Sequence, residues 1–455
     1  LEFRRVLFRS GGNVKRLKTI LIGVMVGCFP MVSMGETLHD VATEVLNSHP
    51  DIRREQANVS SVEQARQGAI GDYLPTLDLT GAIGHETSYE KNPNGSDVNL
   101  TRSELSLVFN QNLFKGFGSD AEYDRQSARH KAAAFSLNGT AQNILLRMTA
   151  VYLDVLRYQK ILELSEEFVA AHKKIFTQVQ ARFNSGVGSD ADNEQVRVRL
   201  TNAQSNEIAA NNNYQDALSR YKAVVGVMPN HLLLPSQVEG LPDTLIEAID
   251  RGFENHPVLK SANADIEEGQ AQYEAAKAPY YPQLDFEVAG SWDENQAGFD
   301  GKDHDVTMLL KLKYNLFNGT KDLYKKEETA QLVNVAKKIR DQTKREVEEG
   351  LRLAWRAYEA LDRQIPYLTE RFIASQATYD GYAEQFKIGR RTLLDMLDTK
   401  SEVYQAEVDK VNAEYDYHYA QYRILNAIGS LDTYIKKLAE RSKVTADHQV
   451  VAKES

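Results

Sequence analysis

The chain has 455 residues and a mass of 51.3 kDa, length for two or three ordinary domains or one elongated one. Its apolar and charged fractions, 42% and 26%, exclude wholesale disorder. A single cysteine, Cys28, excludes an intrachain disulfide framework or a cysteine-ligated metal centre, and a formal charge of −10 argues against non-specific nucleic-acid binding. No apolar run approaches the ~20 residues of a membrane-spanning helix, a criterion blind to the alternating strands of a β-barrel.

Residues 1–12, LEFRRVLFRSGG, lack an initiator Met and read as a cloning or assembly scar. Residues 13–35 read as an export signal: Lys15, Arg16 and Lys18, an apolar run from Ile20 to Phe29, then Ser33-Met34-Gly35 before a cut at Glu36. Gly27-Cys28 faintly matches a lipid-modified cleavage site, but the apolar run continues past it. Cleavage at Glu36 would leave an acidic, cysteine-free chain stabilised by packing or oligomerisation.

The remainder is written twice. His49-Pro50 recurs as His256-Pro257, and Tyr73-Leu74-Pro75-x-Leu77-Asp78 as Tyr280-Tyr281-Pro282-x-Leu284-Asp285, both at an offset of 207. Asn112-Leu113-Phe114-x-Gly116 recurs as Asn315-Leu316-Phe317-x-Gly319, Phe183-x-x-Gly186 as Phe386-x-x-Gly389, Tyr214 as Tyr417 and Gly226 as Gly429, each at 203. A constant offset over more than a hundred residues is the mark of duplication. It divides the chain into a first repeat over 36–228, a linker over 229–245, a second repeat over 246–432 and a polar tail over 433–455, expected to be poorly ordered.

Each repeat has one grammar. A helical stretch from about Leu38 to Gly71 stops before Pro75. Leu77, Leu79 and Ile83 then alternate with Asp78, Thr80 and Ala82, a strand with one apolar face. A turn at Asn92-Pro93-Asn94-Gly95 leads to a second alternation through Leu105, Leu107 and Phe109, so the hairpin covers about 76–110. In the second repeat Leu284, Phe286, Val288 and Trp292, then Val306, Met308, Leu310, Leu312 and Tyr314, give strands over about 283–315. Each strand is ~10 residues, the length of a tilted transmembrane β-strand.

Long helical hairpins follow, over about 119–227 and 321–429. Ser119 to Ser185 holds no proline and would form a rod of ~100 Å. Pro366 is expected to kink or locally break its counterpart, Lys321 to Ile388. Helices so long and polar need partner helices. Four strands cannot close a barrel, and an open edge is not viable in lipid, so membrane strands imply a barrel shared between chains. Three copies would give twelve strands with every long helix on one side of the membrane.

These residues resemble the TolC-type outer-membrane channel family. The resemblance runs from about Glu36 to Asp432 and rests on the duplicated Pro-x-Leu-Asp at the start of each hairpin (Leu74-Pro75-x-Leu77-Asp78 in the first copy), the Leu-Phe-x-Gly after it, and Phe386 to Asp398, FKIGRRTLLDMLD. It implies a mainly α protein with membrane β: helical hairpins forming a periplasmic α-barrel, and four strands per chain in a twelve-stranded barrel of a homotrimer. It implies an outer-membrane exit duct joined through a periplasmic adaptor to an inner-membrane transporter, ABC-type or proton-driven. Carried over by motif position, Asp192, Arg391, Asp395 and Asp398 are the periplasmic gate, and Gly186, Val187, Gly188, Gly389, Arg390 and Arg391 the adaptor-contact tips. Asp395 and Asp398 share a helix face, and threefold symmetry would bring six carboxylates towards the axis, with Arg391 relieving repulsion. The plain alternative is a solvated helix start with Thr392 near the cap. The family often has Tyr where Phe386 stands, so one gate hydroxyl would be missing, and Ala191 sits where a hydroxyl residue can occur.

Trp292, Tyr73, Tyr280, Tyr281, Phe109 and Tyr314 suit an interfacial aromatic belt or ordinary β packing. Tyr415, Tyr417, Tyr419 and Tyr422 read as helix–helix packing. His49-Pro50-Asp51 matches the tripeptide of J-domain co-chaperones, but only His-Pro is duplicated, and a helix start with Pro near N1 explains it. Asp303-His304-Asp305 has no further metal ligand nearby. No Walker loop, His-Glu-x-x-His or Gly-x-Ser-x-Gly is present, so no enzyme, cofactor or metal is expected. Within the duct reading, type I protein secretion is favoured over drug efflux because no convincing lipid-anchor cysteine is present. A soluble periplasmic coiled-coil adaptor is the reading from another class.

Overall fold

The computed structural model describes residues 35–89 and 98–437. The residues read as a scar and most of the export signal with Cys28, the turn Asn92-Pro93-Asn94-Gly95, and the tail beyond 437 lie outside the described residues. The helix before the first hairpin is two helices, α1 (Leu38–Ser48) and α2 (Pro50–Ile70). The break falls at the first His-Pro. Pro50 opens α2 and His49 caps it, its Nδ1 accepting from the Asp51 amide at 3.2 Å. The second repeat breaks at the same place, between α5 (Leu245–Asn255) and α6 (Pro257–Ala275). A short 3₁₀ turn leads from α2 and from α6 into a hairpin: β1 (Thr76–Ser88) with β2 (Val98–Lys115), and β3 (Gln283–Glu294) with β4 (Lys302–Lys313).

The four strands form one antiparallel sheet in chain order, so β2 of the first repeat pairs with β3 of the second. Register makes the alternation continuous across the repeats. Leu79 faces Leu107, Leu107 faces Gly290, and Gly290 faces Val306. The next row towards the helices is Leu77, Phe109, Val288 and Met308. One whole face is therefore apolar, and it is bare: Leu79 is 68% and Val306 73% exposed. The opposite face carries Asp78, Glu104, Glu287, Asp293, Asp305 and Lys311. Trp292 leans back over Gly290, its ring 3.3 Å from where a Cβ would stand. A bulge between Asn112 and Phe114 keeps both neighbours in phase. Asn112 donates to Asp285 at 2.6 Å on the polar face, while Phe114 pairs with Leu284 on the apolar one.

Aromatics gather where sheet becomes helix. Phe117 meets Phe114 and Tyr281 edge-on at 5.1 and 5.5 Å between ring centres, and Tyr73, Tyr280 and Tyr314 are about half exposed there. Trp292 lies towards the loop end. Each hairpin leaves through two successive left-handed residues, Gly116-Phe117 (φ 61° and 63°) and Gly319-Thr320 (60° and 62°).

The rods then begin: α3 (Gly118–Asn184) and α7 (Lys321–Lys387), 67 residues each, return as α4 (Asp190–Val225) and α8 (Leu393–Ile428), 36 residues each. Pro366 does not break α7, which runs through it. Its missing N–H bond is one loss in a helix held on both sides of it: Tyr358 stacks on Tyr417 at 5.2 Å, and Arg371 pairs with Asp409 at 2.7 Å. Near the sheet the packing order is α2, α3, α6, α7; away from it, α4, α3, α8, α7. The largest core lies between these layers, where Tyr152, Tyr221, Tyr422, Leu145 and Met148 are fully buried. There the Tyr152 hydroxyl lies 2.9 Å from the carbonyl of Glu36 and 2.5 Å from that of Leu233, and accepts from the Leu233 amide at 3.1 Å. It ties the start of the described chain to the inter-repeat segment.

Candidate functional site: the helical tips

The free ends of the hairpins lie farthest from the sheet along the chain's long helices. Each is a five-residue reversal built the same way. In the first, α3 ends on Gly186 at φ 77°, and the amides of Gly186 and Val187 bond the carbonyls of Phe183 and Arg182 at 2.9 and 3.1 Å. In the second, α7 ends on Gly389 at φ 75°, and Gly389 and Arg390 bond Phe386 and Gln385 at 3.1 and 2.9 Å. Both are glycine C-caps with the bonding of a Schellman turn. A hydroxyl then starts the return helix, Ser189 bonding the Ala191 amide and Thr392 the Asp395 amide, each at 3.2 Å. Gly186, Val187, Gly188, Gly389, Arg390 and Arg391 all sit on these reversals, and Val187 is 82% exposed.

The four gate candidates are not one cluster within a single chain. Asp395 closes a capping box: its Oδ2 accepts from the Thr392 amide at 3.2 Å, and Arg391 lies 3.9 Å away. The two Thr392 bonds, then Arg391, lower its pKa. Arg391 donates to Gln385 at 3.0 Å and lies over the Tyr382 ring at 4.1 Å. Asp192 is exposed in the first turn of α4, where a negative charge suits the helix dipole. No hydrogen bond or ion pair joins Asp192 to Arg391. Asp398 is held by a residue that sequence reasoning missed: Arg199 of α4 donates to its Oδ1 at 2.6 Å. No motif spacing signals that pair, because 199 positions separate its members.

Beneath the tips Ile175, Val179, Val196, Met396 and Leu397 are buried together. Beside them a groove of about 710 Å³ runs between α3 and α7, lined by Ile175, Val179, Tyr379, Phe386 and Met396. Further up α3, His172 is 1% exposed. Its Nδ1 lies 3.0 Å from the Phe168 carbonyl and its Nε2 has no partner. Burial, reinforced by Lys400 and Arg199, lowers its pKa; burial does the same to His256 and His418. The folded chain thus binds fewer protons than the unfolded one. Stability is complete above the ordinary histidine pKa of 6.5 and falls as pH drops through the lower folded values. His172→Met should reduce the difference in melting temperature between about pH 7.5 and about pH 5; an unchanged difference removes His172 from this effect.

An open sheet with one apolar and one polar face, continued by paired long helices, defines a wall of a membrane-crossing tube. Comparison with known proteins agrees. The pattern of the outer membrane efflux protein family matches residues 41–227 and again 248–430, one match per repeat, and the chain belongs to that family. It is 24% identical to the outer membrane efflux protein BepC of Brucella suis, over 94% of this chain and 92% of that one. It is 22% identical to the outer membrane protein TolC of Escherichia coli, over 92% and 87%. The solved structure of CusC superposes with a TM-score of 0.76 at 14% identity, covering 86% of this chain and 91% of that one, and the outer-membrane channel OprN with 0.75 at 16%, covering 86% and 90%. The chain is an outer-membrane efflux channel protein with its long helices in the periplasm.

Proposed function

We propose that three copies of the chain form the exit duct of a three-part export machine, receiving cargo from an inner-membrane transporter through a periplasmic adaptor. The observation that carries this is the continuous apolar face of a sheet with two open edges. Such a face needs lipid, and such edges need partner strands. Three sheets give twelve strands with a polar lumen. The same stacking brings α2 and α4 of one protomer beside α7 of the next, where Leu332, Val335, Ile339 and Ile373 lie bare. The native mass of the detergent-extracted protein, corrected for bound detergent, should be that of a trimer. A detergent-free soluble monomer would overturn the duct and favour a coiled-coil adaptor.

The tips are the gate and the adaptor contact in this reading. Arg391→Ala with Asp395→Ala should raise conductance in planar bilayers severalfold. Asp395→Asn keeps a capping side chain, so it separates loss of charge from loss of the cap. Unchanged conductance in all of them removes these residues from the gate. The acidic tips and lumen should also favour cations, and a preference for anions would contradict that.

Type I protein secretion is the finer reading, because the apolar run of the export signal continues past Cys28 where a lipid-modified site would end it. Drug or small-molecule efflux is the second, favoured by the efflux pump relatives SrpC and TtgI of Pseudomonas putida. Expression in cells lacking their own duct separates them. Restored export of a large protein supports the first; restored tolerance to small toxic compounds alone supports the second.

A further inference from the structure

α3 packs against both α4 and α8, and beneath the tips Val196 of α4 shares a buried cluster with Met396 and Leu397 of α8. An ion pair joins the two helices there: Arg199, two and a half turns into α4, reaches Asp398, in the second turn of α8, at 2.6 Å. The pair passes over the part of α3 that buries His172, whose pKa Arg199 influences. Above it, α8 is joined to α3 by Tyr404 to Ser165 at 3.3 Å and Arg157 to Asp416 at 2.9 Å. Between α3 and α7, by contrast, lies the open groove, crossed by Arg182 over the Phe386 ring at 5.5 Å. The end of α8 is packed along α7 within its own hairpin, with Met396 and Leu397 against Tyr379 and Phe386, and Arg199 ties that hairpin to the first one beside the groove.

We infer that Arg199 is a positioning residue of the gate, a latch that straps α8 to the first hairpin and keeps the Asp398 carboxylate from contributing a free charge to the duct. This rests on the duct reading above. With Arg199 engaged, Asp398 is neutralised within its own chain. Freeing it has two consequences with separate readouts: the α7–α8 hairpin swings more readily, and three more carboxylates become available to passing cations. A half-exposed pair shifts an open–closed balance about threefold, or about thirtyfold if three latches act together.

The test is planar-bilayer conductance and cation-to-anion permeability of the full-length trimer. Arg199→Ala and Asp398→Ala should both raise conductance, but move permeability in opposite directions: Arg199→Ala towards cations, Asp398→Ala away from them. Loss of packing alone would not produce that opposition. Arg199→Lys should restore much of the closed state, and exchanging the charges, Arg199→Asp with Asp398→Arg, should restore it further. Wild-type conductance and permeability in Arg199→Ala, alongside an Arg391→Ala chain that opens, would overturn the latch and leave the duct standing. A wild-type trimer that conducts nothing, with no opening in any variant, would overturn both. Helical content by circular dichroism should match wild type in every variant; an Arg199→Ala chain that loses helix, with Arg199→Met doing the same, would make the residue structural and overturn the latch.

Discussion

Arginine in place of Leu107 should keep the chain out of the outer membrane. Leu107 is central on the apolar face, between Leu79 on one side and Gly290 on the other. A cation at mid-bilayer on a barrel's lipid face costs about 2–4 kcal/mol. Three copies meet that cost in one assembly. Ser106 is the control. It is the next residue along β2, paired with Thr80 and Ser291, and its side chain points to the opposite face. Ser106→Arg should assemble, because that face is polar. Membrane-fraction yield and heat-modifiable trimer on gels read both. Equal assembly of the two variants would mean that the apolar face does not meet lipid.

The second large effect concerns two glycines that the duplication makes equivalent. Gly116 and Gly319 have the same backbone, φ 61° and 60°. Alanine at either meets the left-handed penalty of about 1–2 kcal/mol. Their surroundings differ. A Cβ on Gly116 would stand 2.4 Å from the Ala278 carbonyl oxygen and 2.9 Å from the Tyr281 Cβ, whereas nothing lies within 4 Å at Gly319. Gly116→Ala must displace backbone, so it should destabilise by about 3 kcal/mol or more. Gly319→Ala should show the conformational penalty alone. Melting temperatures of the two trimers compare them. An equal drop would mean that Gly319 is as crowded as Gly116 once the protomers close on one another.

That asymmetry separates what the chain's pattern carries from what it does not. The glycine of Leu-Phe-x-Gly is legible because only a residue without a Cβ takes that turn readily. Which copy is crowded depends on the second repeat folding back onto the first, and no local spacing encodes it. Likewise the His-Pro breaks at His49 and His256 are local, set by a ring that cannot continue a helix. Yet the stretch from Leu38 still read as one helix, because its apolar positions keep their period through Ile52. Pro366 is the opposite case, a proline that α7 runs through. Its local tendency to break a helix is overcome by contacts along α8, and those are tertiary.

The tips divide in the same manner. Glycine caps, hydroxyl N-caps and the acids after them are short-range features, so Gly186, Gly389, Thr392 and Asp395 were found by pattern. Arg199 was not, because its meaning comes from a carboxylate on another repeat. By itself the sequence determined the duplication, the strand alternation, the lengths of the rods and the chemistry of the reversals, since each depends on period, proline, glycine and capping within a few residues. The tertiary structure alone decided that β2 pairs with β3, so that two apolar faces become one, and that Asp398 is bound by Arg199 while Asp395 serves its own helix. Those outcomes depend on which distant surfaces pack together, a choice made by burial and register over the whole chain.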